Sequence, residues 1–289
     1  MVHFTQVDVF TQRPFFGNPV AVILDAQALD GEAMQGIARW TNLSETAFVL
    51  PPDNPAASYR VRIFTPQSEL PFAGHPSVGT AHALIEAGLV HPEAGPLVQE
   101  CAAGLLPLQV YGDGPGRRIF VRSPTVRLEP RIAGVEQELS RLLGMTESGP
   151  LAAQVADNGP RWWLVDLGEA ANVRALHPDM SALANFNRRD HSVGVAVFGR
   201  EAAGGAAALA VRCFCPADGI PEDPVTGSAN ACIAGWLAAH HCLPANDYRA
   251  SQGRELGRDG MVHLTVDGDG VWLGGHSVSV IDGRIRLPC

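Results

Sequence analysis

Hydrophobic and polar residues alternate along many short segments of the chain, a period typical of β-strands with one buried face. Alternation or a short apolar run predicts strands at residues 2–10, 20–24, 46–50, 105–110, 119–122, 162–167, 193–198, 262–266 and 277–281. Two further segments, 30–40 with Asp30 as the N-cap and 135–143, predict outer helices. The pattern indicates a fold with many strands and few helices.

One sequence motif occurs twice, about 150 residues apart. The residues VRIFTP at 61–66 recur as VRCFCP at 211–216, and ELPFAGH at 69–75 is matched by EDPVTGS at 222–228. Both copies keep the same order. A repeat of this length indicates a duplicated domain, because solenoid repeats are much shorter.

Each copy predicts a strand, a loop and then a helix. Pro66 and Pro216 end the two strands, since proline cannot donate a hydrogen bond to the ladder. Apolar, alanine-rich stretches follow at 76–87 and 229–241, and Ser228 is a candidate N-cap of the second helix. A helix that is apolar on nearly every face must be surrounded, so each half is expected to wrap a sheet around one central helix.

The duplication also predicts where the chain divides. With 289 residues, the chain is long enough for two domains of about 145 residues, a common domain size. Pro124 and Pro130 punctuate the segment between the two copies, so we expect domains at 1–125 and 126–277. Residues 278–289 are expected to return to the first domain.

Composition narrows the class of protein. Hydrophobic residues make up 46% of the chain and charged residues 18%, which is typical of a folded globular protein and not of a disordered one. The net charge of −9 is spread without basic blocks and disfavours nucleic-acid binding. Residues 1–8 lack the pattern of a signal peptide, and no apolar stretch is long enough to cross a bilayer. A cytoplasmic protein without membrane contact is therefore expected.

Cysteine and histidine spacing gives no indication of a metal site. The six cysteines form no CxxC pair and are expected to stay reduced, and Cys213 and Cys215 lie in an alternating run that predicts buried strand thiols. His75 and His82 are seven residues apart, whereas a helical zinc pair needs four. Ser228 lacks the GxSxG context of a hydrolase nucleophile, and no phosphate-binding glycine motif occurs.

The two predicted helix starts, at Gly74 and Gly227, are candidate anion sites. Helix N-termini carry unpaired N–H groups and the positive end of the peptide dipole, which suit a carboxylate or a developing enolate oxygen. Glycine lets a ligand approach the backbone closely, and His75 and Ser228 add side-chain donors at equivalent positions of the two copies. The same residues are also compatible with two ordinary capped helices.

Two acidic residues are candidates for proton chemistry near these helix starts. Glu45 enters the apolar strand predicted at 46–50, where burial would raise the pKa of its carboxyl toward neutrality, as a general acid/base requires. Asp223 directly precedes the second helix start, where it is placed to cap the helix or to orient His75. The alternative interpretation is that Glu45 is an exposed carboxylate at a strand edge and Asp223 a loop cap.

Four motifs resemble those of one protein family. The residues FFGNPVAV at 15–22, NLSET at 42–46, FAGHP at 72–76 and EDPVTGS at 222–228 resemble the phenazine-biosynthesis isomerase-like (PhzF-like) family, in family order and over nearly the whole chain. The resemblance implies the diaminopimelate-epimerase fold, an α+β fold of two pseudo-symmetric domains. Each domain is then a barrel-like, mostly antiparallel sheet around a central helix. The resemblance also implies a homodimeric enzyme without a cofactor or metal, with its site between the domains.

The resemblance assigns roles to individual residues. Glu45 corresponds to the acid/base that moves a proton on the substrate, with His75 and Asp223 as its polar partners, and the substrate-binding positions are Gly74, Gly227 and Ser228. Amino-acid epimerases of the wider superfamily carry a pair of cysteines before the two helix glycines, where this chain has Ala73 and Thr226. Neither residue can act as a thiolate base, which excludes racemisation by two thiols.

These roles predict an isomerase that moves a proton on a small carboxylate-bearing metabolite, with Glu45 as general acid/base. A single carboxylate suits a shift on one face of the substrate better than inversion, which usually needs groups on both faces. An epimerase that uses Glu45 and a second group on the opposite face remains an alternative. A non-catalytic protein that binds small acids is another, although binding alone does not need the acid/base set of Glu45, His75 and Asp223.

Overall fold

The chain divides into two units in the computed structural model, which describes residues 1–287. The first unit contains residues 1–124 and the C-terminal segment that begins at Leu273, and the second contains residues 125–272. Residues 288 and 289, which include the sixth cysteine, lie outside the described part of the chain, so the predictions for them stay predictions.

Strands dominate both units. Residues 1–124 form β1 Val2–Val9, β2 Asn18–Ile23, α1 Gly31–Thr41, β3 Glu45–Leu50, β4 Tyr59–Phe64, β5 Glu69–Leu70, α2 Gly74–Glu86, β6 Leu97–Cys101, β7 Gly104–Tyr111 and β8 Arg118–Arg122. Residues 125–272 contain β9 Arg127–Leu128, α3 Val135–Leu143, β10 Gln154–Asp157, β11 Arg161–Glu169, α4 Ala170–Arg174, α5 Met180–Asp190, β12 Gly194–Arg200, β13 Leu209–Cys215, β14 Ile220–Asp223, α6 Gly227–Ala239, β15 Asp247–Gln252 and β16 Gly260–Asp267. The chain ends with β17 Gly270–Gly275, which contains the boundary, and β18 Ser277–Ile285.

The two units share one strand topology. In the first unit the strands pair in the order β18, β1, β2, β3, β4, β6, β7 and β8, with β2–β3 and β4–β6 parallel and the other pairs antiparallel. In the second unit the order is β10, β11, β12, β13, β15 and β16, with β11–β12 and β13–β15 parallel. The short strands β5 and β14 pair antiparallel with β4 and β13. The duplication predicted from the sequence is therefore also a duplication of topology.

A buried helix lies at the centre of each unit. α2 is buried from Gly74 to Leu84 and contacts β1, β2, β3, β8 and β18, while α6 contacts β10, β11 and β16. At Gly79 a Cβ atom would lie 2.5 Å from Val20 Cγ1, so only glycine permits this approach of helix and strand. The prediction that an apolar helix is surrounded by a sheet in each half is confirmed.

The two outer helices predicted from the sequence are present, and α4 and α5 are additional. The Asp30 side chain accepts a hydrogen bond from Ala33 N at 2.8 Å and caps α1, as predicted. In α5, Asp179 plays the same role, and Leu183 and Phe186 are buried one turn apart. This N-cap and spacing are a helix signal that the strand-based interpretation of the sequence overlooked. No helix within residues 1–287 combines the length and apolarity that a membrane span requires.

Candidate active site

Glu45 is the first residue of β3, directly after a sharp change in chain direction. α1 ends at Thr41, and its C-cap residue Asn42 has a left-handed backbone (φ 53°) that turns the chain toward the strand. Glu45 pairs in parallel register with Val20 of β2, and its side chain is only 15% exposed. The alternative of an exposed strand-edge carboxylate is therefore wrong, whereas the expected rise in its pKa stays a prediction.

His75 lies beside Glu45 in the first turn of α2. Its Nδ1 atom is 3.4 Å from Glu45 Oε2, and its Nε2 atom is buried without a hydrogen-bond partner among residues 1–287. Burial lowers the pKa of His75 to about 3, although donation of a hydrogen bond to the Pro19 carbonyl favours the charged form. The imidazole next to the Glu45 carboxylate is thus neutral at physiological pH.

The buried imidazole makes stability depend on pH. Its pKa of about 3 lies below the usual 6.5, so on acidification the unfolded chain binds a proton that the folded chain does not. The stabilisation from neutral His75 is complete above about pH 6.5 and is lost as the pH falls toward 3. Between pH 7 and 4.5 we expect wild type to lose about 2–3 kcal/mol more unfolding free energy than a His75→Gln variant. Urea unfolding at both pH values measures the difference.

A matched control separates this effect from general acid sensitivity. His91 has a side chain that is 60% exposed, so a His91→Gln variant should keep the pH dependence of wild type. Equal pH dependence in wild type and in the His75→Gln variant would contradict the assignment of a neutral, buried imidazole.

Asp223 ends β14 and lies close to the start of α6. Its Oδ2 atom accepts a hydrogen bond from the Thr226 hydroxyl at 2.5 Å, and Thr226 is the N-cap residue of α6. Across the strand pair, Asp223 lies opposite Cys213 of β13. Asp223 therefore acts on the helix start through Thr226, whereas its predicted effect on His75 stays a prediction.

Ser228 lies inside the first turn of α6, so its predicted role as N-cap is wrong. Its Oγ atom accepts a hydrogen bond from Trp162 Nε1 at 3.2 Å, and its carbonyl accepts one from Asn158 Nδ2 at 3.1 Å. Because a hydroxyl has one proton and the indole N–H can only donate, the proton of Ser228 must point elsewhere. The hydroxyl is thereby oriented as a donor away from Trp162.

In both α2 and α6, the first turn contains no side chain that neutralises the positive end of the helix dipole. Gly74 and Gly227 are the first residues of α2 and α6, and neither N-cap side chain, of Ala73 or of Thr226, forms a capping hydrogen bond. No acidic residue lies in either first turn. Each helix start can therefore favour a negatively charged group, and at α6 the carboxyl group of Asp223 already lies close to the N-cap residue.

An arginine–glutamate pair holds the short strand before each helix start. In the second unit Arg212 of β13 binds Glu222 of β14 through two hydrogen bonds of 2.9 and 2.8 Å, and both side chains are less than a tenth exposed. In the first unit Arg62 of β4 binds Glu69 of β5 through two bonds of 2.7 Å, with both side chains about a third exposed. Glu222 of the buried pair directly precedes Asp223, so the pair holds β14 against β13 at this point.

Two of the buried cysteines, Cys213 and Cys232, are thiols and not thiolates. Cys213 and Cys215 are buried in β13, which confirms the prediction of buried strand thiols. Burial raises the pKa of Cys213 and of Cys232, so both thiols are protonated. Across residues 1–287, no cluster of three His, Cys, Asp or Glu side chains could hold a metal ion.

The predicted site residues form one group in each unit. The first unit brings together Glu45 and His75 at the start of α2, and the second brings Asp223 and Ser228 to the start of α6. Two cavities of about 670 and 750 Å³ lie elsewhere in the second unit, and no predicted site residue lines either one. Gln252, which donates hydrogen bonds to Asp223 and Thr226, is not among the predicted site residues, because no pattern in residues 247–252 predicts a strand there.

Comparisons with known proteins agree with this architecture. The chain is 35% identical over 293 residues to Antisense-enhancing sequence 1 of Schizosaccharomyces pombe, with 97% of both chains covered. It is 36% identical to trans-2,3-dihydro-3-hydroxyanthranilate isomerase of Pseudomonas aeruginosa, covering 99% of this chain and all of the relative. The crystal structure of a PhzF-family phenazine biosynthesis protein from Bacillus anthracis matches with a TM-score of 0.85, 27% identity and 99% of each chain covered.

These matches confirm the predicted two-domain α+β fold. The family model described as phenazine biosynthesis-like protein, PhzC-PhzF, matches residues 7–283, which is nearly the whole chain. Together with the two relatives above 30% identity, this match shows that the chain belongs to the phenazine biosynthesis-like, PhzC-PhzF, family.

Proposed function

We propose that this chain is an isomerase that moves a proton on a small carboxylate-bearing metabolite, with Glu45 as general acid/base. Family membership supports the isomerase class, because the Pseudomonas aeruginosa relative is named for an isomerase reaction. The observation that carries the proposal is the largely buried Glu45 carboxyl 3.4 Å from the neutral imidazole of His75. Catalytic carboxyl groups are typically held in such partly desolvated surroundings.

The neutral state of His75 matters for this chemistry. An imidazolium at 3.4 Å would form an ion pair with Glu45 and favour its ionised form. A neutral ring supplies no such charge, so the carboxyl group remains able to take up a proton and to release it. This property supports a role in which Glu45 alternates between base and acid.

The proposed reaction consists of two proton transfers, and the product has the same atoms as the substrate. The Glu45 carboxylate removes a proton from a carbon activated by an adjacent carboxylate, carbonyl or conjugated system. The C–H electron pair moves into the conjugated system, and the developing negative charge is stabilised by N–H groups of the helix starts at Gly74 and Gly227. The Glu45 carboxyl then returns its proton to another carbon of the same system.

The remaining predicted residues serve binding and orientation in this proposal. His75 and Asp223 are the polar partners of the acid/base, and the Ser228 hydroxyl, oriented by Trp162, donates to the substrate. Ala73 and Thr226 at the helix starts, together with the protonated thiol of Cys213, argue against a two-thiol racemase. A proton shift on one face of the substrate is therefore favoured over inversion.

Hydrogen exchange tests the proposal directly. The protein is incubated in deuterated water with trans-2,3-dihydro-3-hydroxyanthranilate and with a panel of small unsaturated and amino acids, and NMR follows deuterium at each carbon. We expect deuterium on one face of a single substrate class, together with an isomerised product. Deuteration with inversion at one carbon would instead identify an epimerase. A thermal shift without any exchange would identify a binding protein.

A further inference from the structure

Gln252 is a buried polar residue for which the proposed reaction assigns no role. It ends β15, is 3% exposed, and places its side-chain amide among three residues at the start of α6. Its Oε1 atom accepts hydrogen bonds from Thr226 N at 3.0 Å and from Asn230 Nδ2 at 2.9 Å. Its Nε2 atom donates to the Asp223 carbonyl at 3.0 Å and to Thr226 Oγ1 at 2.9 Å.

Backbone groups fix the orientation of the Gln252 amide in this cluster. The Thr226 N–H can only donate, so the Gln252 atom facing it must be the oxygen, and the amide nitrogen must face Thr226 Oγ1. Since the threonine hydroxyl accepts from that nitrogen, its single proton is available to Asp223 Oδ2 at 2.5 Å. A directed chain therefore runs from the Gln252 amide through the Thr226 hydroxyl to the Asp223 carboxylate.

We infer that Gln252 is a positioning residue that acts through Thr226 to hold Asp223 ionised and in a fixed orientation. The inference rests on the proposed function for the role of Asp223 in the reaction, but its physical basis is the directed hydrogen-bond chain alone. A carboxylate that accepts a hydrogen bond from a hydroxyl is stabilised in its ionised form. Loss of either donor should let the carboxyl group protonate more easily and move.

Charged and ionisable groups of the neighbouring strands also lie close to Asp223. Glu222 precedes it in β14 and is neutralised by Arg212 of β13, and the Cys213 thiol lies opposite it with its pKa raised by burial. The Glu222–Arg212 pair keeps its charges in any variant of Gln252 or Thr226. Changes at those two positions therefore report on the hydrogen-bond chain itself.

The first repeat supplies a matched control. Gln99 of β6 is also fully buried, and its Nε2 atom donates to Ser77 Oγ at 2.9 Å while its Oε1 atom accepts from the Tyr59 hydroxyl at 3.2 Å. Ser77 in α2 corresponds to Asn230 in α6, and each bonds the carbonyl of its N-cap residue. The N-cap of α2 is Ala73, which has no hydroxyl, so no equivalent chain to a carboxylate begins at Gln99.

NMR titration of aspartate carboxyl carbons tests the inference without a substrate. In protein labelled with ¹³C-aspartate, the Asp223 signal is identified by its loss in an Asp223→Asn variant. We expect the Asp223 midpoint to rise by about one unit in Gln252→Met and Thr226→Val, and to stay at the wild-type value in Thr226→Ser and Gln99→Met. If Gln252→Met does not fold, the Thr226→Val and Thr226→Ser pair carries the test. An unchanged midpoint in Thr226→Val would overturn the inference.

Kinetics then separate this inference from the proposed function. With a compound that wild type exchanges, Gln252→Met and Thr226→Val should lower kcat about tenfold or more, leave KM within about threefold, and move the acid limb of the pH profile upward. Gln99→Met should not move that limb. If the acid limb of the pH profile stays at the wild-type position in Gln252→Met and Thr226→Val, Gln252 does not position Asp223 for catalysis. A different outcome is that wild type exchanges no compound while the Asp223 titration midpoint is shifted in Gln252→Met and Thr226→Val. That result would support the hydrogen-bond chain and reject the proposed function.

Discussion

Replacement of Glu45 by glutamine should lower the rate of substrate proton exchange by about 100- to 10,000-fold, the usual contribution of a positioned general acid/base. Glutamine keeps the size and polarity of the side chain but cannot accept a proton from carbon. The neighbouring imidazole of His75 cannot take over this role readily, because its pKa of about 3 makes it a weak base. Exchange in deuterated water, followed by NMR on the compound that wild type turns over, measures the change.

The same chemical change elsewhere provides the control for this experiment. Glu93 has a side chain that is 75% exposed, and Glu93→Gln should leave exchange at the wild-type rate. Circular dichroism shows whether the Glu45→Gln protein is folded. A folded Glu45→Gln variant that exchanges within about tenfold of wild type would remove Glu45 from the role of acid/base.

Truncation of Arg212 should produce the largest loss of stability among the substitutions considered. Arg212→Leu would leave the Glu222 carboxylate buried without its partner, and it would also remove the donor to the carbonyls of Val173 and Leu176. Breaking a buried ion pair in this way costs about 3–5 kcal/mol. Urea unfolding followed by tryptophan fluorescence measures the loss, because four of the five tryptophans lie within residues 125–272.

The corresponding pair of the first repeat is the internal control. Arg62 and Glu69 form the same two-bond contact, but both side chains are about a third exposed, so Arg62→Leu should cost only about 0–1 kcal/mol by circular dichroism. Replacing both Arg212 and Glu222 by leucine should restore part of the lost stability, since no charge is then left unpaired. Equal losses in Arg62→Leu and Arg212→Leu would show that burial does not distinguish the two pairs.

Local sequence patterns predicted much of this fold because the same local pattern occurs twice. The VRIFTP and VRCFCP motifs indicated strands β4 and β13, and the apolar stretches after them indicated two enclosed helices. These signals depend on residues close together in the chain. The same holds for Asp30, whose side chain caps α1 three residues away.

Features that depend on distant residues could not be predicted in this way. Gln252 reaches the start of α6 because β15 pairs in parallel with β13, which places Gln252 beside Val211. The sequence between them gives no indication of that register. The residue type of Ser228 predicts an N-cap, but the helix begins one residue earlier, at Gly227, and Ser228 instead accepts a hydrogen bond from Trp162. Contacts between residues far apart in the sequence therefore place Gln252 and orient Ser228, and local sequence patterns do not predict such contacts.

The pairing of β18 with β1 has a consequence for the order of folding during synthesis. Val2 pairs with Ile285, so the first unit needs a strand that the ribosome makes after the entire second unit. Residues 125–272, in contrast, form one uninterrupted stretch of chain. Although nascent domains generally fold from the N-terminus onward, the later unit of this protein can be completed before the earlier one. Until β18 has been synthesised, the edge of β1 that it covers is exposed to other polypeptides, which is the period of greatest aggregation risk for this unit.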